Sequence, residues 1–267
     1  MKYFYQLLIT TIIFGMLTSC VATGPSSNIN RGSFSPMVRS MGNTRSHAHQ
    51  VIQDPTGSAP TQMVERFEVK SGDCNREDCR RDRERSELLQ ENTYRQTYSG
   101  KEYWYGWSIY VPEDCPDITP TRNYLGQWHE KSSYAVAWMV EKMGNSLYLN
   151  GHGFTAFATH NNSVSLYKNQ WTLVSDDLKG KWNRLEFHVK WSRDNDGFMY
   201  VWVNGKQIVE YRGPTMKESS VYFKYGIYRS FMSRYEEAYD VNRVPGQVIY
   251  YANVQRGRTR DEIQPGK

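Results

Sequence analysis

Tyr103-Trp104-Tyr105-Gly106-Trp107-Ser108-Ile109-Tyr110-Val111 reads as one long aromatic β-strand, halted by Pro112. Strand-like segments stand on both sides of it. Val64-Glu65-Arg66-Phe67-Glu68-Val69 alternates, and Tyr134 to Val140 with Ser146 to Leu149 reads as a hairpin about Gly144-Asn145. Asn183 to Trp191 and Phe198 to Val203 flank the turn-like Asp194-Asn195-Asp196-Gly197. Val203-Asn204-Gly205-Lys206 is a strong hairpin signal, because Asn-Gly supplies the positive φ values of a type I′ turn. Val248 to Val254 closes the set, and nowhere does a helical period persist over three turns. Short strands at regular spacing, rich in Tyr, Trp and Val, predict an all-β fold, a two-sheet antiparallel sandwich.

The N-terminus is expected to lie outside that fold. Lys2 precedes an apolar stretch from Leu7 to Leu17, followed by Leu17-Thr18-Ser19-Cys20. Residues 1–19 thus read as a secretory signal ending in a lipobox-like site, with Cys20 as the lipidated residue. The apolar run is too short for a membrane span. Val21 follows the cysteine, where an aspartate would favour inner-membrane retention in a Gram-negative cell; in such a host the expectation is an outer-membrane lipoprotein. Residues 20–60 are rich in Ser, Asn, Gly, Pro and Arg and read as a flexible tether, with His47 and His49 as solvated linker residues. Residues 61–267 then form one domain, expected to be monomeric.

An exported chain meets an oxidising compartment. With Cys20 assigned to lipid, Cys74 and Cys79 close a short loop and are the favoured disulfide, leaving Cys115 free and buried. No spacing resembles a structural zinc site. The formal charge of +5 and pI near 8.9 suit an anionic partner. Nucleic acid is disfavoured, because the Lys and Arg residues are scattered and no recognition module is present.

Three further segments place polar side chains on one face of a strand. They are Arg85-Ser86-Glu87-Leu88, Gln127-Trp128-His129 and Tyr222-Phe223-Lys224-Tyr225-Gly226-Ile227-Tyr228. Alternation puts Arg85 with Glu87, Gln127 with His129, and Tyr222 with Lys224 and Tyr228. If the faces meet, a cation, an amide, an imidazole and a phenol converge. These groups suit removal of a proton beside a carboxylate and expulsion of an oxygen.

Those segments resemble the motif set of the alginate lyase family: Arg-Ser/Thr-Glu-Leu/Val-Arg, Gln-Ile/Val-His and Tyr-Phe-Lys-Ala-Gly-x-Tyr-x-Gln. The wider chain, from Gly72-Asp73-Cys74 through Asp82-Arg83-Glu84-Arg85-Ser86-Glu87-Leu88, is more similar to the heparin lyase I and glucuronan lyase group. The resemblance covers the chain from about Met63 onward. It implies a concanavalin-like β-jelly roll and β-elimination of an acidic polysaccharide. It also allows a calcium ion, for which no ligand loop is legible, and requires no other cofactor. Departures at Leu89, Tyr225 and Ser230, where the alginate pattern has Arg, Ala and Gln, suggest another uronate polymer, glucuronan-like or related.

On this reading Arg85 and Gln127 neutralise the substrate carboxylate, His129 is the base and Tyr228 the acid. Glu87 orients Arg85, and Lys224 and Tyr222 bind substrate. For Arg85 the bland alternative is an ion pair with Glu87 or Asp82. His152, His160 and His188 lack a neighbouring glutamine of the Gln127 kind; His152 sits in a glycine-flanked loop and His188 mid-strand. Aromatics make up 14% of the chain, and most are expected between the sheets, while Tyr222, Trp138 and Trp104 are candidates to stack on sugar rings. A non-catalytic carbohydrate-binding lectin is the competing reading, since the sandwich hosts many functions. A glycoside hydrolase would need facing carboxylates, and Glu68, Glu141 and Glu186 form no such pattern.

Overall fold

The long aromatic strand forms as expected, in the middle of a sheet. In the computed structural model, residues 29, 31, 33–34, 37–39, 45–90, 97–131, 136–151 and 169–266 are described. The signal segment, Cys20, His152, His160 and the first two residues of the Tyr134–Val140 strand lie outside them. Strands on the N-terminal side are β1 (Met37–Arg39), β2 (His49–Gln53), β3 (Met63–Val69), β4 (Arg83–Gln90), β5 (Thr97–Tyr98) and β6 (Glu102–Tyr110). The middle holds β7 (Arg122–Glu130), β8 (Val136–Met143), β9 (Ser146–Gly151) and β10 (Asn169–Val174). The remainder are β11 (Trp182–Lys190), β12 (Phe198–Val203), β13 (Lys206–Arg212), β14 (Ser220–Ser230) and β15 (Gln247–Gly257). Two short helices, α1 (Arg76–Arg80) and α2 (Met232–Tyr239), interrupt them.

One sheet runs β1-β4-β14-β7-β8-β9-β10, with β5 also on β14; the other runs β13-β12-β11-β6-β15-β3-β2. All named strand pairs are antiparallel, giving the jelly-roll sandwich. The Asn-Gly hairpin joins β12 to β13, with Asn204 at φ 50° and Gly205 at φ 81°.

Aromatic rings fill the space between the sheets. Trp107 of β6 packs on Phe223 of β14 at 5.1 Å, and Trp128 of β7 on Phe187 of β11 at 5.1 Å, all fully buried or nearly so. Trp138 joins this core with no exposed surface, so it is no sugar platform. Trp104 lies on the other sheet, stacked between His188 at 4.2 Å and Trp202 at 5.2 Å, away from the motif strands. Of the three aromatic candidates, Tyr222 alone stands among the motif residues.

The expected tether is shorter than its composition suggests. β2 pairs with β3 from His49↔Phe67 to Gln53↔Met63, and Phe34 is fully buried, stacked on Phe223 at 5.0 Å. The polar residues of this stretch are partners for buried carboxylates. Arg31 and His49 each lie 2.7 Å from Glu65, and His47 lies 2.7 Å from Asp73, which also faces Arg45. Burial works against the charge of Glu65, but His49 and Arg31 outweigh it and hold its pKa below the usual carboxylate value. His47 and His49 are therefore part of the fold. Polar composition here marks internal pairing rather than a linker.

Candidate active site

β4, β14 and β7 lie side by side, so the three motif segments are neighbours. The β4–β14 register pairs Leu89 with Lys224 and Arg85 with Tyr228 without a break. Across β7, Tyr222 pairs with His129 and Lys224 with Gln127. Arg85, Glu87, Gln127, His129, Tyr222, Lys224 and Tyr228 consequently share one face of the sheet.

A bulge shapes the centre of that face. Between Tyr225 and Tyr228 the register with β7 slips, so that Tyr225 opposes Gly126 and Tyr228 opposes Tyr124. Tyr225 points into the core, where its hydroxyl donates to Glu65 at 2.7 Å. Tyr124 is turned to the motif face and stacks on Tyr228 at 5.6 Å. Gly226 makes this possible: its φ is 125°, and a Cβ there would run into the Ser86 carbonyl oxygen.

Arg85 is held tightly. Nε and Nη2 donate to the two oxygens of Asp78 at 2.7 Å each, and Nη1 donates to Glu87 at 2.8 Å. The guanidinium also lies 4.3 Å from the centre of the Tyr228 ring. Burial opposes its charge, yet Glu87 and Asp78 raise its pKa above the ordinary arginine value. The expected ion pair with Glu87 is present, but its second partner is Asp78, not Asp82, whose carboxylate instead accepts from the Ser233 hydroxyl on α2. Nor is the pair at the surface, since Arg85 is 6% exposed and Glu87 4%.

Asp78 was not legible as a site residue. It sits on α1 inside the loop closed by the Cys74–Cys79 disulfide, where Asn75 accepts a hydrogen bond from its backbone N–H at 2.8 Å. A carboxylate within a six-residue cysteine loop just ahead of the arginine strand was the available signal. Cys115 is free and buried, as expected.

Glu87 binds a second donor: Gln127 Nε2 donates to its other oxygen at 2.6 Å. A continuous chain, Asp78–Arg85–Glu87–Gln127, thus fixes the amide on the face. His129 donates from Nδ1 to the Glu130 carbonyl at 2.8 Å, which leaves Nε2 as the basic nitrogen. Burial, then the Lys224 charge, depresses the His129 pKa to about 4, so the ring is neutral at physiological pH. Its ring stacks on Tyr222 at 5.3 Å, and Lys224 Nζ lies 5.5 Å from the centre of the same Tyr222 ring.

Burial lowers the pKa of Lys224, partly opposed by Glu87. It raises that of Tyr228 against the pull of Arg83 and Arg85, and pushes Tyr222 up to about 12. Both phenols are therefore protonated at neutral pH. The face offers a neutral imidazole to accept a proton and a phenol to supply one. Among the described residues no three His, Cys, Asp or Glu side chains gather as a metal site would need. No helix among them is long and apolar enough to cross a membrane. A surface hollow of about 770 Å³ beside α2, lined by Tyr235, Asp240 and Arg243 among others, contains none of the motif residues.

Comparison with known proteins gives a consistent placement. The family model described as polysaccharide lyase matches residues 29–255. Among solved structures, the chain is similar to endo-β-1,4-glucuronan lyase from the fungus Trichoderma reesei, with a TM-score of 0.61 and 18% identity over 89% of this chain and 98% of that one. It is also similar to the alginate lyase AlgAT5 of polysaccharide lyase family 7, with a TM-score of 0.50 and 15% identity over 79% and 82% of the two chains. At such identities these likenesses establish the jelly-roll fold. No curated protein matches by sequence.

Proposed function

Since the chain belongs to the polysaccharide lyase family, and is an enzyme of that class, we propose that it cleaves a uronate-containing polysaccharide, glucuronan or a related chain, by β-elimination. One observation carries the reading: Gln127, His129, Lys224 and Tyr228 share a sheet face on which the amide is braced through Glu87 and Arg85. The C5–H bond breaks and its proton passes to a base, Nε2 of His129 or the phenolate of Tyr228 according to the stereochemistry at C5. The electron pair forms the C4–C5 double bond, the C4–O4 bond breaks, and Tyr228 protonates O4. Charge that builds on the substrate carboxylate in the enolate-like intermediate is met by the Gln127 amide and the Lys224 ammonium. The products are a new chain end and an unsaturated uronate. Where the C5 proton and O4 lie on the same side of the ring, as in glucuronate, Tyr228 serves both steps: its phenol first loses its own proton to solvent, which the Arg83 and Arg85 charges favour, and the phenolate then takes the C5 proton. In the C5 epimers His129 takes the proton.

The testing experiment screens the protein against glucuronan, alginate, heparin and heparan sulfate, following the ultraviolet absorbance of the unsaturated product. Absence of product from every uronate polymer would reject the proposal.

A pH profile tests the base. Neutral His129 is the competent form, so activity is present above its pKa and lost as pH falls through it. Because burial and Lys224 place that pKa at about 4, kcat/KM on a substrate needing His129 should hold steady through pH 6 and fall only near 4. An acid limb near 6.5 would exclude this imidazole as the base.

We further propose that Cys20 carries lipid and holds the enzyme on the outer membrane. Cys20→Ala should convert a membrane-associated product into an unlipidated one, and mass spectrometry of the mature wild-type protein should show a modified Cys20. An unmodified cysteine there rules the anchor out.

A further inference from the structure

We propose that Arg83, and not Arg85, is the arginine that receives a carboxylate of the bound polymer. This rests on the lyase reading above and narrows the substrate to chains carrying carboxylates at the subsite beside Tyr228. Arg83 and Arg85 are two residues apart on β4, where the register pairs them with Ser230 and Tyr228, so both face the motif side. Their surroundings differ. Three of the five N–H donors of Arg85 are committed to Asp78 and Glu87, two negative charges against its one. A cluster that is already net negative is a poor receiver for a further anion.

Arg83 has the opposite character. It is partly exposed, and among the described residues its guanidinium has no carboxylate partner. That guanidinium lies 5.9 Å from the centre of the Tyr228 ring. Its charge lowers the pKa values of His129, Lys224 and Tyr228 alike, as a cation directed at the middle of the face would. A planar fork of donors beside the proposed acid, without a carboxylate partner among the described residues, matches a substrate carboxylate bidentately. Arg85 then acts as a positioning residue, holding Glu87 and through it Gln127.

The test compares wild type with Arg83→Gln and Arg83→Lys on glucuronan oligosaccharides and on the same oligosaccharides with their carboxyls reduced to primary alcohols. Because Arg83 has no carboxylate partner among the described residues, neither variant should change the unfolding midpoint appreciably. Arg83→Gln should raise KM by about ten- to a hundredfold, the scale of a lost charged hydrogen bond, with kcat changed far less. Arg83→Lys should recover part of the loss. Calorimetric binding on a Tyr228→Phe background reads the same contact without turnover. There Arg83→Gln should weaken only the carboxylated ligand.

Wild-type KM and affinity in Arg83→Gln, or equal weakening for both ligands, would overturn the proposal. Carboxylate-selective binding that depends on Arg83, without any product from the wild-type enzyme, would support this subsite while rejecting the lyase reading. If the wild-type protein neither binds nor cleaves oligosaccharides of any of the uronate polymers screened above, both fall.

Discussion

Tyr228→Phe should lower turnover by about two to four orders of magnitude, the range for loss of a general acid, while substrate affinity changes little. The substitution removes one hydroxyl. The ring keeps its stack on Tyr124 and its contact with the Arg85 guanidinium, so the face is preserved. Burial keeps the Tyr228 phenol protonated, so at neutral pH the missing atom is a proton donor. Comparing KM and single-turnover rates on a cleaved polymer checks this. Product formed at the wild-type rate would remove Tyr228 from the mechanism. His129→Ala should be comparably damaging on a substrate whose C5 proton and O4 lie on opposite faces, and milder where Tyr228 serves both steps.

Arg85→Ala should cost about 3–5 kcal/mol of folding stability in addition to activity, because it strands two buried carboxylates without their cation. Asp78 is 1% exposed and Glu87 4%, so water cannot replace the guanidinium. Turnover should also fall by at least about a hundredfold, since Glu87 would no longer be held where it braces Gln127. Urea unfolding of Arg85→Ala, set beside a triple variant that adds Asp78→Asn and Glu87→Gln, separates the effects. The triple variant should regain much of the stability and none of the activity. A loss below about 1 kcal/mol in the single variant would mean the cluster is not the brace described here.

The fold was legible because its signals are local. Alternation, the Asn-Gly turn and the proline stop each act within a few residues, and β3, β6, β11, β12 and the β12–β13 hairpin appear where those signals put them. The site residues were legible for a related reason, since their shared face follows from strand parity. What the sequence concealed depends on distant partners. Asp78 is an ordinary helix-terminus acid until β4 brings Arg85 to it. Trp104 and Trp138 are equivalent in composition, yet strand order sends one to an outer face and the other to the core. His49 looks like a linker residue until Glu65 is seen facing it across β2 and β3.

The inward pairing of Arg31 with Glu65 and the burial of Phe34 set a length scale for the whole enzyme. If Cys20 bears the lipid, eleven residue steps separate it from the first such clamp, at Arg31. No chain of eleven steps reaches beyond about 40 Å, against about 140 Å for the forty steps to residue 60. Under that condition the enzyme would work in a thin layer above the lipid surface. It would meet a polymer only after the polymer had reached that surface, and the chain ends it creates would be released there.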